Sequence, residues 1–288
     1  MTVAIGIHTI NGIVVCADSQ YSSSFKANGQ KVFSWCDAGV AVVFAIAGDV
    51  ANATMAVQEC CEVLNLNASA RSLPKVKKII QLVIKEIQEK YVDKIPLNER
   101  EAARFTLIVG IATKDHDPCL YYTSETGAMV RFDEYHSIGS GGYLAGYVLS
   151  AAYDSNMQVD EASACAAYAL AAAKRHDSEC SGPSQFVTIR QITRRGGYML
   201  SVVVPFDLES MEKGMLQYER MAMGMLLEAG NFALSEEYFK ERVDKFAWRV
   251  REMRKEFKRN GVPHKTLLSQ LVATTRSPST SRKSRRAR

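Results

Sequence analysis

The stretch MTVAIGIHTINGIVVCADSQ, residues 1–20, holds two β-rich runs, VAIGIHT and IVVCAD, on either side of Asn11-Gly12. Asn-Gly between such runs is a strong signal for a two-residue hairpin. The first strand therefore starts almost at Met1, with Thr2 at its head. Chain ends fray unless something ties them down, so a small hydroxyl residue in that place calls for a reason. Removal of an initiator methionine is favoured when the next residue is small, as threonine is. The mature chain is then expected to begin with a hydroxyl and a free α-amine on one residue. An α-amino group titrates at roughly 7.7–8.0, against roughly 10.4 for lysine, so it can act as a general base near neutrality. Thr2 thus reads as nucleophile and base together.

Working outward, a polar loop, SSSFKANGQ, leads to KVFSW and GVAVVFAIA, joined by a turn at Asp37-Ala38-Gly39. The second run is apolar without alternation, which argues for a strand covered on both faces. From Asp49 to about Leu66 the apolar spacing becomes helical, and Ser72-Leu73-Pro74 opens a second helix to about Tyr91, with proline in its first turn. A second block repeats the order. FTLIVGIAT, CLYYTSE and GAMVRFD read as strands with a turn at Glu125-Thr126-Gly127, SIGSGG leads into helices near 142–155 and 160–175, and FVTIRQIT and YMLSVVV turn at Arg195-Gly196-Gly197. Strands followed by a helix pair, twice over, predict an α+β protein built as a four-layer α-β-β-α sandwich.

Beyond Pro205 the composition changes. Residues 206–262 read as an appended helical hairpin broken near Gly230-Asn231, and Met211, Met215, Met221, Met223 and Met225 crowd its first helix. Residues 263–288 form a basic tail whose Ser/Arg/Pro composition buries too little apolar surface to fold, so it is expected to be disordered. The domain expectation is therefore 1–205, 206–262 and 263–288.

The 288 residues are 47% hydrophobic, enough for a large core and too many for a disordered chain. No run approaches eighteen uncharged apolar residues, and residues 1–20 lack a cationic n-region, so neither a membrane span nor a signal peptide is expected. The seven cysteines are odd in number and show no metal-ligand spacing, which suits reduced thiols and a cytoplasmic location. No metal or cofactor is expected. The formal charge of +5 is more than accounted for by Arg276, Arg282, Lys283, Arg285, Arg286 and Arg288, which leaves residues 1–275 one charge negative. That tail suits nucleic acid or an acidic partner, with a solvated tail as the simpler reading.

Thr2, GIVVCADSQ, Lys31, FAIAGDVANA, LYYTSETG, SIGSGG and HDSECSGP, in that order, resemble the catalytic β-type subunits of the proteasome core and their bacterial relatives over about residues 2–204. Each motif alone is common; their order and the sixteen residues from Thr2 to Asp18 carry the likeness. The resemblance implies a threonine peptidase of the N-terminal nucleophile class. Thr2 is then the nucleophile, and Asp18 and Lys31 are the carboxylate and ammonium beside it, with Lys26 as the alternative because the intervening loop is two residues short. Gly48 supplies the N–H facing the oxyanion. Ser140, Asp177 and Ser181 support the terminal amine, with Cys180 as the alternative to Ser181 because DSEC carries an extra residue. Asp49, where relatives commonly have a second glycine, favours the helix dipole.

The same mapping implies that Tyr21 and Ser22 line the substrate cleft, Ser22 offering backbone pairing to an extended peptide. It places Ile46 and Val50 around the residue before the cut, so an apolar side chain is expected there, with Asp49 able to bias the choice. The implied partners are peptides or unfolded polypeptides, other copies of the chain in two stacked rings of six or seven, and an ATPase unfoldase as an option. Two other functions stand beside this one: a catalytically silent ring or scaffold protein, and an N-terminal nucleophile amidase for small amides. His176-Asp177-Ser178 is not a hydrolase triad, because adjacent residues at a helix end point apart.

Overall fold

The computed structural model describes residues 2–22, 26–37, 39–67, 71–124, 126–193, 197–203, 205–230 and 235–259. Met1, Ala38, Glu125, Arg195, Gly196, Asn231 and the tail from 263 lie outside these residues, as do the side chains of Ser22 and Lys26.

Two five-stranded antiparallel sheets stack face to face. The first comprises β1 (Ala4–Thr9), β2 (Gly12–Ala17), β10 (Tyr135–Ile138), β11 (Gln185–Thr193) and β12 (Gly197–Val203), in the order β10-β1-β2-β11-β12. The second runs β5 (Val32–Asp37), β6 (Val40–Gly48), β7 (Phe105–Thr113), β8 (His116–Thr123) and β9 (Met129–Phe132) in sequence order. Helices α1 (Val50–Leu66) and α2 (Leu73–Ile87) cover the second sheet, and α4 (Gly142–Ala152) and α5 (Val159–His176) cover the first. This is the four-layer sandwich expected from the strand and helix order.

Period-two alternation sorts the side chains. Along β6, Val42, Phe44 and Ile46 face the helices, while Ala41, Val43, Ala45 and Ala47 face the opposite sheet. On β2, Val14 and Cys16 face α5, and Ile13, Val15 and Ala17 enter the inter-sheet layer. Both strands are buried on both sides, which is why the apolar run GVAVVFAIA shows no alternation. Each fully buried Ile, Val or Phe contributes about 1.5–3 kcal/mol. Gly6 and Gly110 let the sheets approach, since a Cβ on either would meet Ile108 or Ile13 within 2.9 Å.

Local signals fix the helix ends. The Asp49 side chain accepts the Asn52 N–H at 2.8 Å and caps α1. Gln158 and Glu161 form a capping box at the start of α5, whose last turn carries Lys174, Arg175 and His176 in accord with the dipole. The expected run to Tyr91 is continued past α2 by a π-turn, Gln88–Val92. Four elements were not foreseen: α3 (Leu97–Ala103), edge strand β10, and the small hairpin of β3 (Gln20–Ser22) and β4 (Lys26–Asn28), which arises from the polar loop.

Beyond the second β11–β12 hairpin, α6 (Pro205–Ala229) lies along α5 and α7 (Glu236–Arg259) folds back on α6. Lys174 Nζ contacts Glu212 Oε1 at 2.9 Å with both side chains largely buried, and Arg175 pairs with Glu219 at 3.3 Å. Met211 packs against the α4–α5 core.

Candidate active site

The β1–β2 register continues beyond the strands and brings Thr2 beside Asp18. Ala4 pairs with Ala17; past that pair the Asp18 N–H donates to the Val3 carbonyl at 3.1 Å, and the Val3 N–H donates to Asp18 Oδ1 at 3.0 Å. The head of the chain is thus tied by a side chain as well as by the ladder. Lys31 stands just before β5. Its N–H donates to Gln185 Oε1 at 2.8 Å, and its carbonyl accepts the Ile46 N–H at 3.0 Å, so its backbone is clamped between the sheets.

Three side chains converge here. Lys31 Nζ donates to Thr2 Oγ1 at 2.6 Å and to Asp18 Oδ1 at 2.9 Å. Thr2 is 2% exposed, and Lys31 and Asp18 are fully buried. Asp18 Oδ2 accepts the N–H groups of Gln20 at 3.2 Å and Ser181 at 3.3 Å. Lys31 Nζ also lies 5.6 Å from the Tyr21 ring centroid. Burial pulls the Lys31 ammonium below the ordinary lysine value, and the charge and hydrogen bond of Asp18 oppose that pull. A cation held at hydrogen-bond distance from a hydroxyl favours the alkoxide, so the arrangement can activate Thr2 Oγ1 for attack.

Gly48 closes β6 with φ +87°, and a Cβ there would overlap the Arg104 carbonyl oxygen, so only glycine fits. Across from it, SIGSGG wraps the Thr2 backbone: the Gly141 N–H donates to the Thr2 carbonyl at 3.3 Å. Ser140 Oγ lies 4.0 Å from Cys180 Sγ, and that thiol lies 3.4 Å from Asp177 Oδ2. Here the expectation for Ser181 is corrected. Its side chain is exposed and it meets the site through its N–H, whereas Cys180, 1% exposed, is the side chain set between Ser140 and Asp177. The turn of Asp177, whose carbonyl accepts the Cys180 N–H at 3.1 Å, points the third residue inward and the fourth outward. Burial raises the Cys180 thiol to about 12.

The substrate-side residues divide. Tyr21 is half-buried, and its hydroxyl donates to the Gln30 carbonyl. Ser22 pairs through β3 with Lys26. Ile46 is not at a surface: it is 1% exposed within the core under α1, and Val50 packs against the same core. The expected lining from Ile46 is therefore corrected, because the alternation that sends Phe44 toward the helices sends Ile46 there too, whereas Val50 stays partly exposed at the start of α1. Asp49 spends its carboxylate on the α1 cap. The cleft that does adjoin Gly48 and Gly139 has a volume of 540 Å³ and is lined by charged residues, among them Lys85, Glu89, Arg100 and Arg104.

Gln185 was not singled out from the sequence. Its Oε1 accepts the N–H groups of Lys31 and Val32, and its Nε2 donates to the Gly29 carbonyl at 2.7 Å, so it sets the height of the lysine. A polar residue opening a strand carries no signal of that kind. Among the described residues no cluster of His, Cys, Asp and Glu could hold a metal ion, and no helix is long and apolar enough to cross a membrane.

The stacked antiparallel sheets between helix pairs, with a threonine at the head of the first strand, define the proteasome-like N-terminal nucleophile hydrolase fold. The chain belongs to the proteasome subunit family, whose sequence profile matches residues 2–188. It is 28% identical over 189 residues to proteasome subunit beta 2 of Pyrobaculum calidifontis, covering 65% of this chain and 87% of that one. Among solved structures it is similar to Anbu, the ancestral beta-subunit, from Yersinia bercovieri, with a TM-score of 0.63 at 12% identity over 77% of this chain and 96% of that one. Anbu from Pseudomonas aeruginosa, solved as a helical assembly, aligns with a TM-score of 0.63 at 14% identity over 78% and 96% of the two chains.

Proposed function

We propose that the chain is a threonine-type endopeptidase. After Met1 is removed, the free α-amine of Thr2 takes the proton from Oγ1 as the hydroxyl attacks a peptide carbonyl. Lys31 steadies the developing alkoxide, and Asp18 holds Lys31 in place. The Gly48 N–H faces the developing oxyanion, a donor whose loss typically lowers rates by about 100–1000-fold. The attack gives an ester on Thr2 and releases the amine product, which carries the proton from the α-amine. Water, deprotonated by the same amine, then hydrolyses the ester. Ser140, Asp177 and Cys180 orient that amine.

The observation that carries this reading is the 2.6 Å contact of Lys31 Nζ with Thr2 Oγ1, made by a lysine whose charge is matched by Asp18 in a sealed site. The charged cleft beside Gly48 supports substrates that present a polar or charged side chain near the cut. The β3–β4 hairpin, a two-stranded sheet among the described residues, supports an extended peptide added as a strand.

The working form is a homo-oligomer that encloses its sites, as suits an unshielded peptidase. Membership of the proteasome family and the helical assembly of the Pseudomonas aeruginosa relative support this. Head-to-tail contacts close into rings or run on as helices depending on the rotation between copies, and electron microscopy with native mass measurement decides between them. A monomer under all conditions would count against enclosure.

A peptide epoxyketone tests the chemistry, because it forms its adduct only with a hydroxyl and a free amine on one residue. The expected result is a mass increase confined to Thr2 and absent in Thr2→Ala, with peptide cleavage lost in the same variant. A purified chain that keeps Met1, or forms no adduct, leaves the silent scaffold as the function.

A further inference from the structure

Between α6 and α7 lies a groove of 330 Å³, none of whose lining residues belongs to the Thr2 site. Met221, Met225 and Phe246 form its apolar floor, and Arg220, Lys245 and Arg249 stand on its rim. On α7, Arg242, Lys245 and Arg249 follow at helical spacing, so they form one row about 10.5 Å long at 1.5 Å per residue. Arg242 is matched by Glu228, its Nε lying 2.9 Å from both carboxylate oxygens. Arg220, Lys245 and Arg249 make no ion pair among the described residues, and no acid lines the groove.

Gly224 supplies an independent sign that the space is meant to stay open. It lies inside the 25-residue helix α6, where glycine is less stable than alanine. A Cβ on it would meet nothing within 4 Å, so packing does not demand glycine there.

We infer that this groove docks an acidic peptide segment carrying an apolar anchor. Thioethers and one aromatic ring make an adaptable apolar seat, and the volume is at the low end for ligand pockets, about 300–1,000 Å³, suited to a side chain or two. With Arg242 taken by Glu228, the unmatched cations of α7 are Lys245 and Arg249, about 6 Å apart along the axis, or about two residues of an extended chain at ~3.4 Å each. The matching segment is acid, one residue, and acid, with an apolar anchor beside them. The chain's own C-terminal residues do not fit, because residues 260–288 contain no Asp or Glu. A nucleic-acid backbone would engage the cations and leave the methionine floor unused.

The test uses the full-length chain with Thr2→Ala, so that the probe is not cut. The probe is a fluorescein-labelled peptide, Gly-Ser-Phe-Glu-Leu-Glu-Ser-Gly, and binding is read as anisotropy. Saturable binding is expected at low salt, weakening as salt rises and absent for the peptide with lysine in place of both glutamates. Gly224→Leu plugs the floor without disturbing the fold, and Lys245→Glu with Arg249→Glu reverses the rim; each is expected to weaken binding by at least about tenfold. Circular dichroism checks that α7 persists, and if the charge reversal unfolds it, Gly224→Leu alone decides. No saturation at millimolar chain, unaltered affinity in Gly224→Leu, or tighter binding to phosphatidylserine vesicles or a single-stranded oligonucleotide than to the peptide overturns the inference.

Discussion

Gly139 holds φ +89°, and a Cβ built on it would overlap the carbonyl oxygen of Thr2. The glycine of the strand-to-helix turn and the residue at the head of the first strand therefore share one packing constraint. Gly139→Ala must either move Thr2 or bend the turn, and the left-handed backbone adds about 1–2 kcal/mol for a residue with a side chain. A misplacement of about 1 Å at a reacting centre can slow chemistry by about 100-fold. We expect Gly139→Ala to slow epoxyketone labelling of Thr2 by about 10- to 100-fold while the fold survives by circular dichroism. An unchanged labelling rate would show that the turn does not set Thr2.

Lys31 and Asp18 form a pair with no solvent contact. Removing one partner from a buried pair strands the other charge and typically costs about 3–5 kcal/mol. Asp18 keeps three backbone donors, from Val3, Gln20 and Ser181, when the lysine is gone. The loss for Lys31→Met is therefore expected near the low end, about 3 kcal/mol, read from urea unfolding. Adding Asp18→Asn removes the stranded charge and should restore part of that loss; a double variant less stable than either single one contradicts the pairing.

The layers were legible because their causes are local. Asn11-Gly12, the apolar run ending at Gly48, the cap at Asp49 and Pro74 in the first turn of α2 each act within a few residues of themselves. The pairing of Thr2, Asp18 and Lys31 came from motif order and is seen as contacts at 2.6 and 2.9 Å. What escaped depends on distant partners. Gln185 holds Lys31 across 154 residues of sequence, and β10 becomes a strand only by pairing with β1. Ile46 shows a different failure. Its type is right for a pocket, but whether an apolar residue faces substrate or core is decided by α1 covering that face of β6, and spacing from Gly48 does not report it.

Asp177 gives the site an acid limb. Burial pushes its carboxyl up, but hydrogen bonds from the Glu179 N–H, the Ser140 hydroxyl and the Cys180 thiol outweigh it and hold the group below 3.8. A folded value below the unfolded one means that the native state binds fewer protons. Its contribution to stability is therefore fully present above 3.8 and is lost as pH falls through the lower folded value. The urea midpoint of the parent should drop between about pH 5 and about pH 3 by more than that of Asp177→Asn. Parallel curves for the two proteins would show that Asp177 is not held low.

Cys180 and Cys36 separate burial from reactivity in one molecule. Cys180 is 1% exposed with its thiol raised to about 12 by burial first, and then by the charge of Asp18 and its hydrogen bond to Asp177. At neutral pH it is a protonated donor to Asp177, and the thiolate is the form that reacts. Cys36, at the exposed end of β5, is open to reagent. Brief iodoacetamide treatment of the native chain, followed by peptide mapping, should modify Cys36 and leave Cys180 intact until urea opens the fold. If the thiol serves as the donor proposed for it, Cys180→Ser keeps that hydrogen bond and should retain epoxyketone labelling of Thr2 within about threefold, whereas Cys180→Ala, which leaves Asp177 short of a donor worth about 1.5–3 kcal/mol as a charged hydrogen bond, should label more slowly. Equal labelling by the serine and alanine variants would reduce Cys180 to a space-filling residue.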